Sequence, residues 1–211
     1  MNEVLEYDIP VIIVDDGSDV RVDLLVKNPN VTIVTHETNM GKGVALRSGA
    51  LKAKELGYDF CLTMDGDAQH YASDIPNFLS KFSGNPNELI IGVRDFENCD
   101  APNSSIVGRQ IGNFWVWVES GTWVSDTQTG FRLYPVDFLG YPSSATRYEF
   151  EIENLVRFIW SGGMISQVDV KTIYDDSRVT HFDKLKDNLY MIRLHAKLVV
   201  MRIFLLKGII K

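Results

Sequence analysis

The stretch Phe60-Cys61-Leu62-Thr63-Met64-Asp65-Gly66-Asp67-Ala68-Gln69-His70 decides how this chain is read. Residues 60–64 predict a short buried strand, and it stops where two carboxylates and an amide arrive together. Asp65, Asp67 and Gln69 are oxygen donors of the kind taken by a hard divalent cation such as Mg²⁺ or Mn²⁺, and a diphosphate would share that ion. Asp-Gly is also a common turn dipeptide, so a plain turn is the competing explanation. A calcium-binding EF-hand loop is excluded, because His70 stands where that loop needs glycine and Pro76 where it needs a bidentate glutamate.

Working outward, the same grammar repeats. The β-branched run 9–14 predicts another buried strand, ending at Asp15-Asp16-Gly17-Ser18, where an acid could accept hydrogen bonds from a base or ribose. A smaller strand follows over 31–35. A helix is expected over 43–56, stopped by Gly57, then a helix over 75–82 and a strand over 89–93. Strand and helix in alternation argue for a mostly parallel α/β sheet flanked by helices, which places ligands at the carboxyl ends of its strands. Beyond it, 94–103 reads as a loop and 106–124 as a helix carrying three of the four tryptophans. Residues 125–135 read as a turn-rich insertion, 150–160 as a helix and 165–174 as a last strand.

Bulk numbers restrict the function. A chain of 211 residues with 45% hydrophobic and 23% charged residues folds as one ordinary domain. A net charge of −7 argues against nucleic acid as a partner, since phosphate backbones need a basic face. Cys61 and Cys99 form neither metal spacing nor a disulfide framework, and the first residues lack the pattern of a secretory leader. A cytoplasmic setting is expected, at the inner face of a membrane if the tail binds one.

Three further segments carry candidate chemistry. Asn39-Met40-Gly41-Lys42-Gly43 precedes a helix, so backbone N–H groups and Lys42 could face phosphate, although the spacing fits neither a Walker A loop nor a dinucleotide fingerprint. Asp126-Thr127-Gln128-Thr129-Gly130-Phe131-Arg132 gathers an acid, hydroxyls and a guanidinium, with Arg94 and Arg109 upstream; together such arginines would clamp a phosphate, and singly each is an ordinary surface charge. Residues 189–211 are apolar but interrupted by Arg193, Lys197, Arg202 and Lys207, which suits an interfacial helix better than a membrane span. The expected division is therefore a catalytic domain over 1–188 and a C-terminal helix over 189–211.

The order of these pieces carries a resemblance. The runs VDDGS (14–18), NMGKGVALRSG (39–49), MDGDAQH (64–70), DTQTGFRLYP (126–135), YEFEIE (148–153) and SRVTHF (177–182) resemble bacterial family 2 glycosyltransferases of the dolichyl- or polyprenyl-phosphate sugar synthase type. The resemblance implies a GT-A, Rossmann-like fold and an inverting transferase that moves a sugar from a nucleotide-sugar donor to a lipid-phosphate or glycan acceptor in cell-envelope synthesis. It implies that Val14 and Asp16 contact the nucleotide and that Lys42, Asp65 and Gly66 line the donor. Asp65, Asp67 and Gln69 would hold the metal, with His181 a further ligand or else structural. Arg94 and Arg178 would face the diphosphate, and Arg109 with Asn113 the lipid phosphate. Asp67 and Arg132 are candidates for the chemical step. A hydroxyl acceptor would add a carboxylate base, Glu149 or Glu151, whose alternative role is charge at a helix N-terminus.

One departure stands out. Family members open with a strand inside the sheet, and the expectation here is a GT-A sheet lacking that first strand. Two alternatives follow: a non-catalytic relative that binds nucleotide or a partner, and a sugar nucleotidyltransferase using a similar metal site.

Overall fold

The computed structural model describes residues 2–95, 103–173 and 184–206. The chain runs α1 (Asn2–Leu5), β1 (Val11–Asp16), α2 (Val22–Leu25), β2 (Val31–His36), α3 (Lys42–Glu55), β3 (Phe60–Thr63), a 3₁₀ turn (Ala72–Asp74), α4 (Ile75–Lys81) and β4 (Glu88–Arg94). It continues through α5 (Asn103–Ser120), β5 (Arg132–Pro135), α6 (Val136–Leu139), α7 (Glu149–Trp160), β6 (Met164–Val170) and α8 (Lys184–Leu206).

The strands form two sheets. β1 and β2 pair in parallel, while the other four lie in the order β3-β5-β4-β6, with β4 and β6 parallel and β5 antiparallel to both its neighbours. Helix α3 packs on β1, β2 and β3, and so ties the two sheets together. Among the described residues β1 and β3 do not pair with each other, and no strand lies between them. A seam beside α3 therefore separates the two sheets. β1 and β3 are correspondingly half-buried along most of their length, whereas β4 is buried over its first five residues.

Strand β4 shows why apolar runs decided the reading. Leu89 and Ile91 face the core formed with α7 and α8, while Ile90 faces a second core with Phe78, Phe131 and Val170. A strand covered on both faces loses the polar alternation of a half-exposed one. Helix α7 buries Phe150, Leu155, Val156 and Phe158 against that first core.

Several boundaries move. Residues 125–135 are not wholly a turn-rich insertion: their last four form β5, inserted between β3 and β4 and fully buried. Four residues are too few to show a period, and tertiary burial fixes the strand. β4 runs one residue beyond 93 to include Arg94, and β6 stops at Val170 rather than at 174. Helix α5 ends at Ser120, short of 124, because Gly121 takes a left-handed φ of 82° and its N–H bonds back to the Trp117 carbonyl at 2.8 Å. The C-terminal helix starts at Lys184, before the expected 189, and its inner face belongs to the domain. Leu194 and Leu198 are buried, Arg147 pairs with Asp187, and Arg202 donates to the Val118 carbonyl at the end of α5.

Candidate active site

The carboxyl ends of β1 and β3 bring the acidic loops beside the start of α3. Gly41, at φ 98°, and Gly43 permit this approach: a Cβ on Gly41 would stand 2.5 Å from the Thr146 carbonyl, and one on Gly43 2.5 Å from Phe150 Cβ. The first turn of α3 thus presses on the start of α7, and Lys42 projects between two carboxylates from separate elements. Its Nζ lies 2.7 Å from Asp65 Oδ1, 3.0 Å from Asp65 Oδ2 and 2.6 Å from Glu151 Oε2. Tyr148 adds its ring face, 5.7 Å from the ammonium. Burial works against the Lys42 charge, but Glu151 and Asp65 outweigh it and hold the ammonium well above the ordinary lysine range. For Asp65 burial likewise opposes ionisation, and Lys42 prevails to keep its carboxyl low.

Gly130 backs Asp65 from the far side. A Cβ there would fall 2.4 Å from one carboxylate oxygen and 2.5 Å from the other, so only glycine leaves the carboxylate its place. Beyond Gly66, which has open space around it, Asp67 is exposed and its Oδ1 accepts the Gln69 N–H at 3.1 Å. The turn passes through Ala68 at φ 60°. It is then tied to the chain after β6, where Ile173 N–H donates to the Gln69 carbonyl at 3.0 Å. His70 is half-buried, its ring centroid 5.0 Å from that of Phe131, and burial lowers its pKa. No three His, Cys, Asp or Glu side chains converge as a ready metal cage among the described residues. Two neighbouring carboxylates nevertheless suit a Mg²⁺-like ion that completes its shell with water and phosphate oxygens, and Lys42 already sets a cation against both oxygens of Asp65.

The other candidates described are each engaged with the surrounding fold. Val14 lies in β1 against Gly49. Asp16 accepts His36 Nδ1 at 2.7 Å and the N–H groups of Met40 and Gly41 at 2.9 and 2.8 Å, so its carboxylate shapes the lysine-bearing loop. Asp15 is buried and accepts the N–H groups of Ser18 and Val22. Arg94 forms a two-pronged pair with buried Asp126, at 2.7 and 2.9 Å, and accepts Arg109 Nη1 on its carbonyl at 3.2 Å. Asn113 is buried: its amide donates to the Ser125 carbonyl and accepts from Thr127 N–H and Oγ1, so it holds a loop where phosphate contact was expected. Arg132, expected at the chemical step, is wholly buried and donates to the carbonyls of Thr127, Thr129 and Glu151 and to the Tyr134 hydroxyl. Glu149 is turned onto its own helix start, where Oε1 accepts the Thr146 N–H at 3.0 Å, while Glu151 is the glutamate that meets Lys42. Arg178 and His181 lie outside the described residues. Gly130 and Asp126 were not singled out in the sequence for the roles they take here; the only signal was a glycine and an acid inside a polar run.

An α/β sheet whose strand ends gather a lysine and successive acidic loops has the layout of a GT-A nucleotide-sugar transferase. Residues 1–139 match the sequence model of Glycosyl transferase family 2. A curated relative, the UDP-N-acetylglucosamine–dolichyl-phosphate N-acetylglucosaminyltransferase of Methanococcus voltae, is 31% identical over 79% of this chain and 75% of its own. A dolichyl-phosphate beta-glucosyltransferase of Trichomonas vaginalis is 22% identical over 61% of this chain and 41% of its own. Among solved structures, glucosyl-3-phosphoglycerate synthase from Mycobacterium tuberculosis, crystallised with Mn²⁺, UDP-glucose and glycerol 3-phosphate, superposes with a TM-score of 0.60 at 19% identity, covering 90% of this chain and 68% of that one. The chain belongs to glycosyltransferase family 2.

Proposed function

We propose that this chain transfers a sugar from a nucleotide-sugar to a polyisoprenoid phosphate, with inversion at the anomeric carbon. The observation that carries the reading is the 31% identity to a transferase whose acceptor is dolichyl phosphate. The geometry supports it, because the two carboxylates that could serve as base for a hydroxyl acceptor are committed inside the fold: Glu149 to the Thr146 N–H and Glu151 to Lys42. A phosphate acceptor arrives ionised and needs no base.

In this reading Asp65 and Asp67, with Gln69, hold a divalent cation that neutralises charge gathering on the departing diphosphate. Lys42 faces the same diphosphate from the start of α3. Val14 and the loop organised by Asp16 receive the nucleoside, and Arg94 with Arg109 carries positive charge at the cleft wall. Arg178 and His181 remain assigned to this site by their place in the sequence. The acceptor's lipid tail would stay in a membrane that the protein meets from the cytoplasmic side. No helix among the described residues is long and apolar enough to cross a membrane. Helix α8 exposes Leu189, Ile192, Val200 and Ile203 at helical spacing, beside Arg193 and Lys197, as an interfacial helix would.

The test is transfer of radiolabelled N-acetylglucosamine from its UDP donor to dolichyl phosphate with Mn²⁺, read as label in the organic phase. UDP and GDP are titrated calorimetrically in parallel, with Asp67→Ala as control. Metal-dependent binding and transfer, both lost in the variant, are expected. A folded chain that binds neither nucleotide nor passes label to the lipid would overturn the reading.

A further inference from the structure

Lys42 is placed oddly for a residue that only waits for phosphate. Its ammonium contacts both oxygens of Asp65, one of the two carboxylates proposed to hold the metal. It is equally close to Glu151, which is 5% exposed and whose Oε1 finds no hydrogen-bond partner among the described residues. If Lys42 swung away entirely, the buried Glu151 carboxylate would lose its close ion pair and keep only the more distant attraction of Arg132, a costly arrangement. Lys42 is therefore anchored on the Glu151 side, and Asp65 is the partner it can release. The Asp65 side chain is 31% exposed against 6% for Glu151, so it is the one an incoming cation reaches.

Resting on the metal assignment above, we propose that Lys42 is a built-in rival of the metal: it competes for the Asp65 carboxylate and yields it only when a diphosphate brings the negative charge to hold both cations. Two cations sharing one carboxylate repel strongly at such short range, more so where water is partly excluded. Metal alone should then bind poorly, and donor and metal should load together. Glu151 acts as a positioning residue, keeping Lys42 within reach of Asp65 and later of the diphosphate. The arrangement discourages a metal-loaded site without donor, in which water would meet an activating ion with no sugar to transfer.

The test measures Mn²⁺ alone, by loss of the free-ion electron paramagnetic resonance signal on adding protein, with no nucleotide present. Lys42→Met is expected to tighten Mn²⁺ binding about tenfold and to reduce the further tightening produced by UDP. Because that variant strips Glu151 of its close ion pair, Lys42→Met/Glu151→Gln is made beside it; the double variant keeps the buried group neutral and should tighten Mn²⁺ equally. Glu151→Gln alone frees Lys42 to sit on Asp65 and should leave Mn²⁺ binding no tighter than wild type. Unchanged or weaker Mn²⁺ binding in both lysine variants would overturn the proposal. Adding Asp67→Ala to the double variant separates the two readings: if Mn²⁺ binding survives that change, the metal assignment has failed, whereas its loss beside untightened lysine variants counts against the rivalry alone.

Discussion

At the scale of single residues, the site depends on a side chain that is missing. Gly130 leaves room for Asp65, and Gly130→Ala would drive a methyl group to within 2.6 Å of every atom of that carboxyl. The expected outcome is a folded protein, with a melting temperature within a few degrees of wild type, whose Mn²⁺-dependent nucleotide binding falls at least about tenfold by calorimetry. Unchanged binding would mean that Asp65 is free to move and is not held for a ligand. Cys61 offers an independent check on the core beside it. Burial pushes its thiol up to about 12, so almost no thiolate exists at pH 8, and alkylation followed by peptide mapping should find Cys61 modified orders of magnitude more slowly than a free thiol, gaining reactivity only as pH climbs. The positions of Asp65 and Asp67 after a strand and of Lys42 at a helix start were legible in the sequence, because carboxylates after an apolar run and a lysine between glycines before a helix are local patterns. Arg132 and Asn113 were not. A guanidinium that anchors a loop and one that grips a phosphate are the same letters, and only burial in three dimensions tells them apart.

At the scale of elements, β5 shows how that ambiguity resolves. The strand is four residues long, and the polar run before it is held by the Arg132 side chain, which reaches the carbonyls of Thr127, Thr129 and Glu151. Arg132→Ala strips donors from three carbonyls, each loss costing about 1–3 kcal/mol, so destabilisation of about 3 kcal/mol or more is expected in urea titration with the slope unchanged. A variant that melts like wild type but has lost transfer would return Arg132 to the chemistry. Helix α7 was readable because its apolar face recurs at helical spacing over 12 residues, and α3 because its 14 residues run from a glycine-flanked lysine to a stop at Gly57. The antiparallel β5 was hidden, since its partners β3 and β4 are remote in sequence and nothing local announces them.

For the whole molecule, the Lys42–Asp65 pair sets limits to the pH range. Asp65 is held below its usual range in the fold, so its contribution to stability is present above about pH 4 and is lost as pH falls through the depressed folded value. Lys42 is held above its usual range, so its contribution persists below about pH 10.4 and is lost as pH rises through the elevated one. Thermal melts across pH should show a plateau between these limits, and Asp65→Asn should remove the part of the acid-side fall that belongs to this carboxylate; an identical acid limb would show that Lys42 does not hold it. Stability should also be uneven. β4 is buried on both faces while β1 and β2 are half-buried, so amides of Val11–Asp16 and Val31–His36 should exchange with deuterium before those of Glu88–Arg94. The seam between β1 and β3 has one more consequence. An unpaired strand edge rich in valine and isoleucine is a template for other extended chains, and among the described residues Val11–Asp16 is paired on one side only. Colloidal behaviour should follow from it: mutual repulsion at a net charge of −7 keeps the molecules dispersed in dilute buffer, and as salt screens that repulsion, precipitation should begin at protein concentrations that a sheet with closed edges would tolerate.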